Sequence, residues 1–294
     1  MMRRLLAAAL AGLSCLLTAC APPRPDYPVI GAKNFTEQVV LGELLAQEIE
    51  ARSHLKVERR FYLAGSYICQ QALVAGRIDA YVEYTGTALT AILKQPVDGD
   101  PQRVLSTVRQ LYGQRYNITA GPPLGFENTF AMVIRGDDAQ RLHLSTLSQA
   151  AAYAPQWRLG VGYEFEQRPD GLPGLSAAYG LRFAAAPRTM DLGLLYRALT
   201  ARQVDMIAAN STDGPIEALG LTALEDDRHY FPPYQAVPLV RAEALRRWPQ
   251  ITDAVNALAG RITAEDMRSL NEAVDGSHRD PADVVREFRT RKGL

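Results

Sequence analysis

Three aromatic side chains stand at points of the sequence where a ligand could contact them. Tyr84 lies at the end of a predicted strand, Phe130 at the start of another, and Tyr234 at a predicted crossing between two lobes. Rings around a cationic group attract it through their quadrupoles, each contributing roughly 0.5–2 kcal/mol once the cation is desolvated. Any one of these rings could instead pack in a hydrophobic core, so the prediction of a cation cage depends on their joint placement at corners.

Hydroxyl groups follow the first of these rings at the predicted start of a helix. Thr85 and Thr87 belong to the segment EYTGT, which turns from a buried strand into that helix. Free backbone N–H groups at a helix N-terminus can bind a carboxylate. A ring cage beside a helix end would suit a zwitterion such as a betaine.

The segment that carries this corner, 72–87, has a counterpart 126 residues later at 198–214. Both contain the end of a helix, a turn, a short buried strand and the start of another helix, with four identities. Any two helix–strand–helix units look alike, so the match is also compatible with coincidence. If the repeat is real, two similar lobes each contribute one corner to a shared cleft, because ligands bind at the carboxyl ends of strands in open α/β sheets. The corner residues paired in this way are Tyr84 with Asn210, and Thr85 with Ser211.

The first part of the mature chain alternates strands and helices in the order typical of a parallel sheet. Residues 29–32 form a short apolar strand, and apolar residues recur at helical spacing over 36–52. Asn34 precedes this helix and Glu37 follows three residues later, an arrangement that predicts a capping box. Lys33 lies at this first strand-to-helix corner, in a position similar to that of Tyr84 at the later corner.

Two segments rich in Gly, Pro and aromatic residues interrupt the alternation. The first lies at 121–125 and the second at 231–234, and we interpret both as crossings between lobes. Two crossings mean that the C-terminal segment closes the first lobe. The predicted lobes are therefore 29–122 together with 233–294, and 123–232.

The N-terminus has the pattern of a targeting segment. Arg3 and Arg4 precede a short apolar run that is too short to span a membrane comfortably. The run ends in LTAC, which resembles the lipobox of bacterial lipoproteins, so we predict that the signal peptide 1–19 is cleaved and that Cys20 is acylated. The alternative is an ordinary secretory signal with an unmodified Cys20. Residues 20–28 then form a Pro-rich tether that cannot be helical.

Composition excludes several classes of function. The formal net charge is zero, with 47% hydrophobic and 22% charged residues, which describes a normal globular protein without a nucleic-acid footprint. The sequence contains no phosphate loop and no dinucleotide fingerprint, and its four His residues lack metal-ligand spacing, so no cofactor and no metal is predicted. Cys69, the thiol left after the signal peptide and Cys20, is expected to be a small buried hydrophobic residue.

A polar segment at 163–174, YEFEQRPDGLPG, concentrates charged residues. Its charged residues are interpreted as part of a solvated loop braced by ion pairs, with a catalytic cluster as the alternative, and they are Glu164, Glu166, Arg168 and Asp170. Paired carboxylates leave no local sequence signature, so a secreted carboxylate-using hydrolase with Glu164 or Asp213 as general acid stays open as a remote alternative.

Seven separated segments carry motifs that recur together in one family: IGAKNFTEQVVLGELLA, GRIDAYVEYTGTAL, GFENTFAMVI, EFEQRPDGLPGLSAAYGL, MDLGLLYRAL, STDGPIEAL and FPPYQAVPLVR. They resemble the substrate-binding proteins of ABC importers for glycine betaine, carnitine, choline and proline, over about residues 29–290. The resemblance implies an α/β type II periplasmic-binding-protein fold, with two α/β lobes, two crossover hinge segments, and a cleft that encloses the ligand as the lobes close.

The resemblance also implies ligand-binding residues. Four tyrosines commonly cage the trimethylammonium group in this family, and Tyr84 and Tyr234 match two of those positions. Phe130 stands where Tyr is usual and keeps a ring, whereas Asn210 stands where Tyr is usual and has none. Losing one ring should weaken a trimethylammonium cage by about 1 kcal/mol, and Asn210 could instead hydrogen-bond a polar part of another ligand.

Lys33 and Thr87 match positions that contact the ligand carboxylate in the family, and Thr85 and Ser211 are possible further contacts. The implied function is that of a non-enzymatic solute-binding lipoprotein in the periplasm or at the cell surface. It would deliver glycine betaine, choline, carnitine or proline betaine to an ABC permease and its ATPase. The alternative ligand is another small zwitterion, such as an amino-acid derivative whose polar group Asn210 reads.

Overall fold

The computed structural model describes residues 25–294. The predicted signal peptide, Cys20 and the first part of the tether lie outside these residues. Within 25–294, no helix combines the length and the apolar character that a membrane span requires.

The strands form two five-stranded sheets, with the order β2-β1-β3-β10-β4 in the first and β7-β6-β8-β5-β9 in the second. In each sheet one strand runs antiparallel to both of its neighbours: β10 in the first and β5 in the second. The ten strands are β1 Val29–Gly31, β2 Glu58–Arg60, β3 Ala80–Tyr84, β4 Ile118–Ala120, β5 Phe130–Arg135, β6 Leu159–Val161, β7 Arg188–Thr189, β8 Met206–Asn210, β9 Leu221–Leu224 and β10 Ala236–Arg241.

The chain crosses from the first sheet to the second after β4 and returns after β9. The predicted α/β architecture of two lobes with two crossings is therefore confirmed. The precise lobe boundaries, 29–122 with 233–294 and 123–232, stay a prediction.

Helices cover the sheets and close the first lobe at its C-terminal end. The helix Thr36–Ser53 is buried along most of its length, because the C-terminal helices cover its outer face. The helices are Thr36–Ser53, Ser66–Val74, Thr85–Thr87 continued by a π-helical turn at Ala88–Ile92, Pro101–Tyr116, Gly136–Leu142, Leu147–Ala150, a 3-10 turn at Ala154–Gln156, Tyr163–Gln167, Leu172–Tyr179, Leu192–Thr200, Pro215–Ala218, Ala242–Arg247, Gln250–Leu258, Ala264–Asp275 and Pro281–Lys292.

The repeated corner has the same structure in both lobes. Asp79 and Asp205 occupy equivalent positions before β3 and β8. The carboxylate of Asp79 accepts the backbone N–H of Val29 in β1 at 2.9 Å, and that of Asp205 accepts the backbone N–H of Arg158, directly before β6, at 3.0 Å. The turn before each strand contains a residue with left-handed backbone, Gly76 in the first lobe and Arg202 in the second. The sequence match therefore reflects a shared local structure. It places Tyr84, the last residue of β3, and Asn210, the last residue of β8, at equivalent edges of the two sheets.

Cys69 is fully buried in the core of the first lobe. Burial raises the pKa of its thiol to about 12, so the reactive thiolate is strongly disfavoured. The predicted role as a small hydrophobic core residue is confirmed.

Candidate ligand-binding site

A cavity of about 330 Å³ lies between the two lobes, at the strand ends that the repeated corners share. The pairing of the antiparallel strands explains why residues distant in sequence meet there. The end of β3 pairs with the start of β10, and the end of β8 pairs with the start of β5, which brings Phe130 opposite Asn210. Six of the predicted site residues line this cavity: Lys33, Tyr84, Thr87, Phe130, Asn210 and Tyr234.

Thr85 and Ser211, the two possible further contacts, are not part of the cavity lining. The Thr85 hydroxyl donates to the carbonyl oxygen of Pro233 at 3.0 Å, and the Ser211 hydroxyl accepts the backbone N–H of Thr129 at 3.1 Å. Both hydroxyls thus hold the segments where the chain crosses between lobes. Their role as possible ligand contacts stays a prediction, and in this structure both hydroxyls bond to the backbone of the crossing segments.

Lys33 supplies a buried ammonium group from the first lobe. It is 3% exposed, forms an ion pair with the fully buried Glu83, and lies 4.8 Å from the ring centroid of Tyr84. Glu83 also accepts the backbone N–H of Tyr84 at 2.7 Å and the hydroxyl of Tyr81 at 3.2 Å. A buried ion pair is tolerated when such additional hydrogen bonds satisfy the carboxylate, so Lys33 is held in a fixed position at the cavity wall.

Arg168 supplies a second buried cation, this time from the second lobe. Its guanidinium donates through Nε to Asp170 at 3.0 Å and forms a two-bonded ion pair with that carboxylate. Burial alone would lower the pKa of Arg168, but the adjacent Asp170 raises it, so the guanidinium stays charged. Asp170 also accepts the hydroxyl of Tyr234 at 2.6 Å.

The interpretation of 163–174 as a solvated loop is wrong in two respects. The segment begins with the helix Tyr163–Gln167 and leads into a second helix at Leu172. Its ion pair exists, but Arg168 is 3% exposed and Asp170 fully buried, because the lobe interface covers them. Arg168 also lines the cavity, a position that the sequence patterns did not indicate.

Each ring predicted to hold a ligand cation already faces a cation of the protein. The Arg168 guanidinium lies 4.8 Å from the ring centroid of Phe130 and 6.0 Å from that of Tyr234, while Lys33 lies over Tyr84. Phe130 and Tyr234 contact each other with their centroids 5.8 Å apart. The rings therefore orient the two protein cations, and a ligand ammonium group can use only the ring faces that remain.

Glu164, a candidate general acid in the hydrolase alternative, reaches from the second lobe to the N-terminus of the helix Ser66–Val74 in the first. Its carboxylate accepts the backbone N–H of Tyr67 at 3.4 Å and fills the space that a Cβ at Gly65 would occupy. Negative charge is favourable at a helix N-terminus, where N–H groups carry partial positive charge. Glu164 thus stabilises the contact between the lobes at the cavity rim.

Glu37 is buried at the junction of the two lobes and the crossing, with 1% of its side chain exposed. One carboxylate oxygen accepts the hydroxyl of Tyr84 and the amide of Asn128 at 2.8 Å. The other accepts the hydroxyl of Thr212 and the amide of Asn271 at 3.1 Å. Four donors from four separate segments satisfy this carboxylate, which couples the cavity wall at Tyr84 to the second lobe at Thr212.

The capping box predicted from Asn34 and Glu37 is wrong. The helix Thr36–Ser53 has Phe35 at its N-cap position, without a side-chain hydrogen bond. Glu37 cannot fold back onto the helix end because its carboxylate is engaged in the buried network.

Asp213 lies beside this network but outside the lining of the first cavity. It accepts the backbone N–H of Asn210 at 3.0 Å and the hydroxyl of Tyr196 at 2.8 Å. Burial, with a smaller contribution from the nearby Glu37 charge, raises the pKa of Asp213 to about 6. The two candidate general acids of the hydrolase alternative therefore lie at different cavities, Glu164 at the first and Asp213 at the second.

Two cations and three rings in a cleft between hinged lobes are the features of a receptor for a small zwitterion, and similarity to known proteins agrees. Residues 29–291 match the substrate-binding domain of ABC-type glycine betaine transport systems. The chain belongs to this family. The family that the sequence motifs indicated is confirmed, and it is a family of substrate-binding domains of transporters, not of enzymes.

Individual relatives extend over nearly the whole chain. The carnitine transport binding protein OpuCC of Listeria monocytogenes is 33% identical over 277 residues, which cover 94% of this chain and 90% of that protein. The ergothioneine transport permease/ergothioneine binding protein EgtU of Helicobacter pylori is 32% identical over 268 residues, which cover 90% of this chain and 48% of that protein. A crystal structure of a glycine betaine/carnitine/choline ABC transporter protein superimposes with a TM-score of 0.74 at 33% identity, covering 90% of this chain and 98% of that one.

Proposed function

We propose that this protein captures a small betaine-type zwitterion outside the cytoplasm and delivers it to the permease and ATPase of an ABC importer. The observation that carries the proposal is the pair of buried cations, Lys33 and Arg168, which come from different lobes and line one cavity together with three aromatic rings. Glycine betaine, carnitine, choline and proline betaine are the candidate ligands.

The carboxylate of such a ligand would bind between Lys33 and Arg168. Charge-assisted hydrogen bonds from an ammonium and a guanidinium are among the strongest that a protein forms. Thr87, 2% exposed and also in the cavity lining, would add a hydroxyl donor. Because the two cations belong to different lobes, one carboxylate that contacts both stabilises the closed arrangement over the open one.

The quaternary ammonium group would bind against the rings of Tyr84, Phe130 and Tyr234. It cannot donate a hydrogen bond, so desolvation next to ring faces is the favourable environment that remains for it. Glu164 and Asp191 also line the cavity and add negative potential to it. The carnitine and glycine betaine binding relatives support a ligand of this class.

Titration calorimetry of the mature protein with glycine betaine, carnitine, proline betaine and choline tests the proposal. At least one of the three zwitterions should bind with submillimolar affinity, and choline should bind less tightly because it offers no carboxylate to the two cations. If none of the four compounds produces heat at millimolar concentration, the assignment to quaternary amines is wrong.

A second candidate ligand is a larger zwitterion derived from an amino acid, with a polar group that hydrogen-bonds to Asn210. Asn210 presents an amide at a position where the family usually has a ring, and one relative is an ergothioneine binding protein. We expect Asn210→Tyr to tighten glycine betaine roughly fivefold, the equivalent of about 1 kcal/mol from one added ring.

The same Asn210→Tyr variant should weaken ergothioneine, because the amide is lost and the cavity is smaller. Calorimetry with both compounds on the wild type and the variant separates the two candidates, and Ser211→Ala, outside the cavity lining, serves as the matched control. Weaker binding of both compounds to Asn210→Tyr would show that the ring-cage geometry is wrong.

We also propose that the protein is anchored to a membrane by lipid on Cys20, after removal of residues 1–19, with 20–28 as tether. The LTAC motif at the end of the apolar leader supports this assignment. Metabolic labelling with a fatty acid should label the wild type, and Cys20→Ala should lose the label and leave the membrane fraction. A label that persists in Cys20→Ala would refute the anchor.

A further inference from the structure

Asn210 presents its side chain to the ligand cavity because of its place at the end of β8. Ala208 and Asn210 are two residues apart in this strand and both line the first cavity, as expected when alternate side chains share one face of a strand. Phe130 is the residue directly opposite Asn210 on β5. Directly opposed residues have their Cβ atoms about 4.5–5.5 Å apart, so the Asn210 amide lies beside a ring proposed to contact the ligand headgroup.

The neighbouring Asp213 determines which end of that amide is left for a ligand. Its carboxylate accepts the backbone N–H of Asn210 at 3.0 Å, and each of its two oxygens lies 3.3 Å from the side-chain amide nitrogen. An ionised carboxylate has only acceptor atoms, so an amide turned by half a rotation would place its oxygen against two other oxygens. The NH2 group therefore faces Asp213, and the amide oxygen is directed away from it.

Asp213 is itself held in place as an acceptor. It lines an adjoining second cavity of about 510 Å³ and not the first one, and the hydroxyl of Tyr196 donates to its carboxylate at 2.8 Å. Burial raises the pKa of Asp213 to about 6, so the carboxylate is still ionised above neutral pH. Hydrogen bonds in a chain polarise one another, so the bond from the Asn210 amide to this carboxylate makes the amide oxygen a stronger acceptor.

The amide oxygen of Asn210 is available to a ligand. It accepts no hydrogen bond from any group within residues 25–294. It is also not one of the enclosed polar atoms that lack a partner, such as the amide oxygen of Asn271, so a ligand can reach it. The second lobe thus offers an acceptor to the same cavity in which Lys33 and Arg168 offer donors.

We propose that Asn210, oriented by Asp213, selects betaines that carry an N–H or O–H donor close to the quaternary ammonium group. The inference rests on the proposed function, since the carboxylate and the headgroup of the ligand occupy the first cavity. The ligand donor binds the Asn210 amide oxygen, whereas glycine betaine has no such donor and leaves this contact unused. Asp213 is a positioning residue, because it acts on the ligand only through Asn210.

Matched ligands that differ by one donor test the inference on the unmodified mature protein. Carnitine and γ-butyrobetaine differ only in a hydroxyl group, and the Nα-trimethyl betaine of histidine differs from its ring-N-methylated derivative in an N–H. Calorimetry at about pH 8 keeps Asp213 ionised, and glycine betaine is titrated alongside. In at least one pair the donor-bearing member should bind about fivefold or more tightly, which is what one net hydrogen bond contributes. A smaller advantage in both pairs would overturn the inference.

Two variants locate the effect through the ratio of affinities within a pair, which a general loss of stability does not change. Asn210→Leu keeps the size of the side chain and removes the acceptor, so the ratio should fall close to one. Asp213→Asn keeps the acceptor but no longer fixes its orientation, because the new amide can donate as well as accept. The ratio should therefore fall in this variant too.

Asp253→Asn is the matched control, because it removes the same charge from an exposed position on the helix Gln250–Leu258. It should leave the ratio unchanged. A ratio that survives in Asn210→Leu would show that the donor is bound elsewhere and overturn the inference. An equal ratio in Asp213→Asn and Asp253→Asn would overturn the positioning role of Asp213.

The same titrations separate this inference from the proposed function. Heat with glycine betaine or γ-butyrobetaine but no advantage for the donor-bearing ligands refutes only the selection by Asn210. The absence of heat with every betaine tested refutes both.

Discussion

Replacing Arg168 by methionine, together with Asp170→Asn, is expected to weaken glycine betaine and carnitine about 100-fold or more. The guanidinium is one of the two cations proposed to hold the ligand carboxylate, and truncating one partner of a buried charge pair costs about 2–5 kcal/mol or more. Choline has no carboxylate, so its affinity should change by less than about tenfold. The second substitution is needed because Asp170 would otherwise be left as an uncompensated buried charge.

Calorimetry with the three compounds measures this difference, and Asp170→Asn alone is the matched control. Arg168→Lys keeps the charge but loses the planar, two-bonded contact with Asp170, so it should recover only part of the affinity for the zwitterions. An equal loss for choline and glycine betaine in the double variant would mean that Arg168 shapes the cavity and does not contact the carboxylate.

The sequence was sufficient to predict which corners form the cavity, because those corners depend on local patterns. A buried strand followed by a helix start is readable from a few residues, and ligands in α/β sheets bind at such corners. The repeat also carried structural information, since Asp79 and Asp205 fix the same turn in both lobes. The sequence patterns alone therefore place Lys33, Tyr84 and Asn210 at one cleft.

Glu37 shows what local patterns could not supply. Its position three residues after Asn34 fits a capping box, and the sequence alone gives no reason to choose otherwise. The partners that decide its role, Thr212 and Asn271, lie 175 and 234 residues away. Only the packing of the two lobes and of the helix Ala264–Asp275 brings these donors together.

Arg168 could not be predicted as a site residue for a related reason. Charged residues between turn residues usually remain solvated, and the local sequence around Arg168 fits that pattern. The burial of Arg168 depends on Phe130, at the start of β5, and on Tyr234, in the crossing segment before β10, whose rings lie against the guanidinium. A usable signal was the pairing of Arg168 with Asp170 inside a family motif, since an adjacent acid and base can be buried together.

Loss of the Glu37 carboxylate should have the largest effect on the stability of the fold. Glu37→Ala leaves Tyr84, Asn128, Thr212 and Asn271 without their shared acceptor in a buried place. Each unsatisfied buried group costs about 1–3 kcal/mol, and we expect relaxation and water entry to limit the total loss to about 3–5 kcal/mol in the free energy of unfolding. Urea unfolding followed by circular dichroism measures this loss.

Glu37→Gln should cost less, because the amide oxygen still accepts from Tyr84 and Asn128 while the amide nitrogen opposes the donor of Asn271.

Thr212→Val separates the fold from the closure of the lobes. It removes only the hydroxyl that the second lobe donates to Glu37, and should cost about 1–2 kcal/mol. Because that bond joins the lobes, small-angle scattering of the ligand-free Thr212→Val variant should give a larger radius of gyration than the wild type. If Glu37→Ala unfolds at the wild-type urea concentration, the buried network does not contribute to the stability of the fold. If Thr212→Val is as compact as the wild type, closure depends on the Tyr234–Asp170 and Glu164 contacts instead.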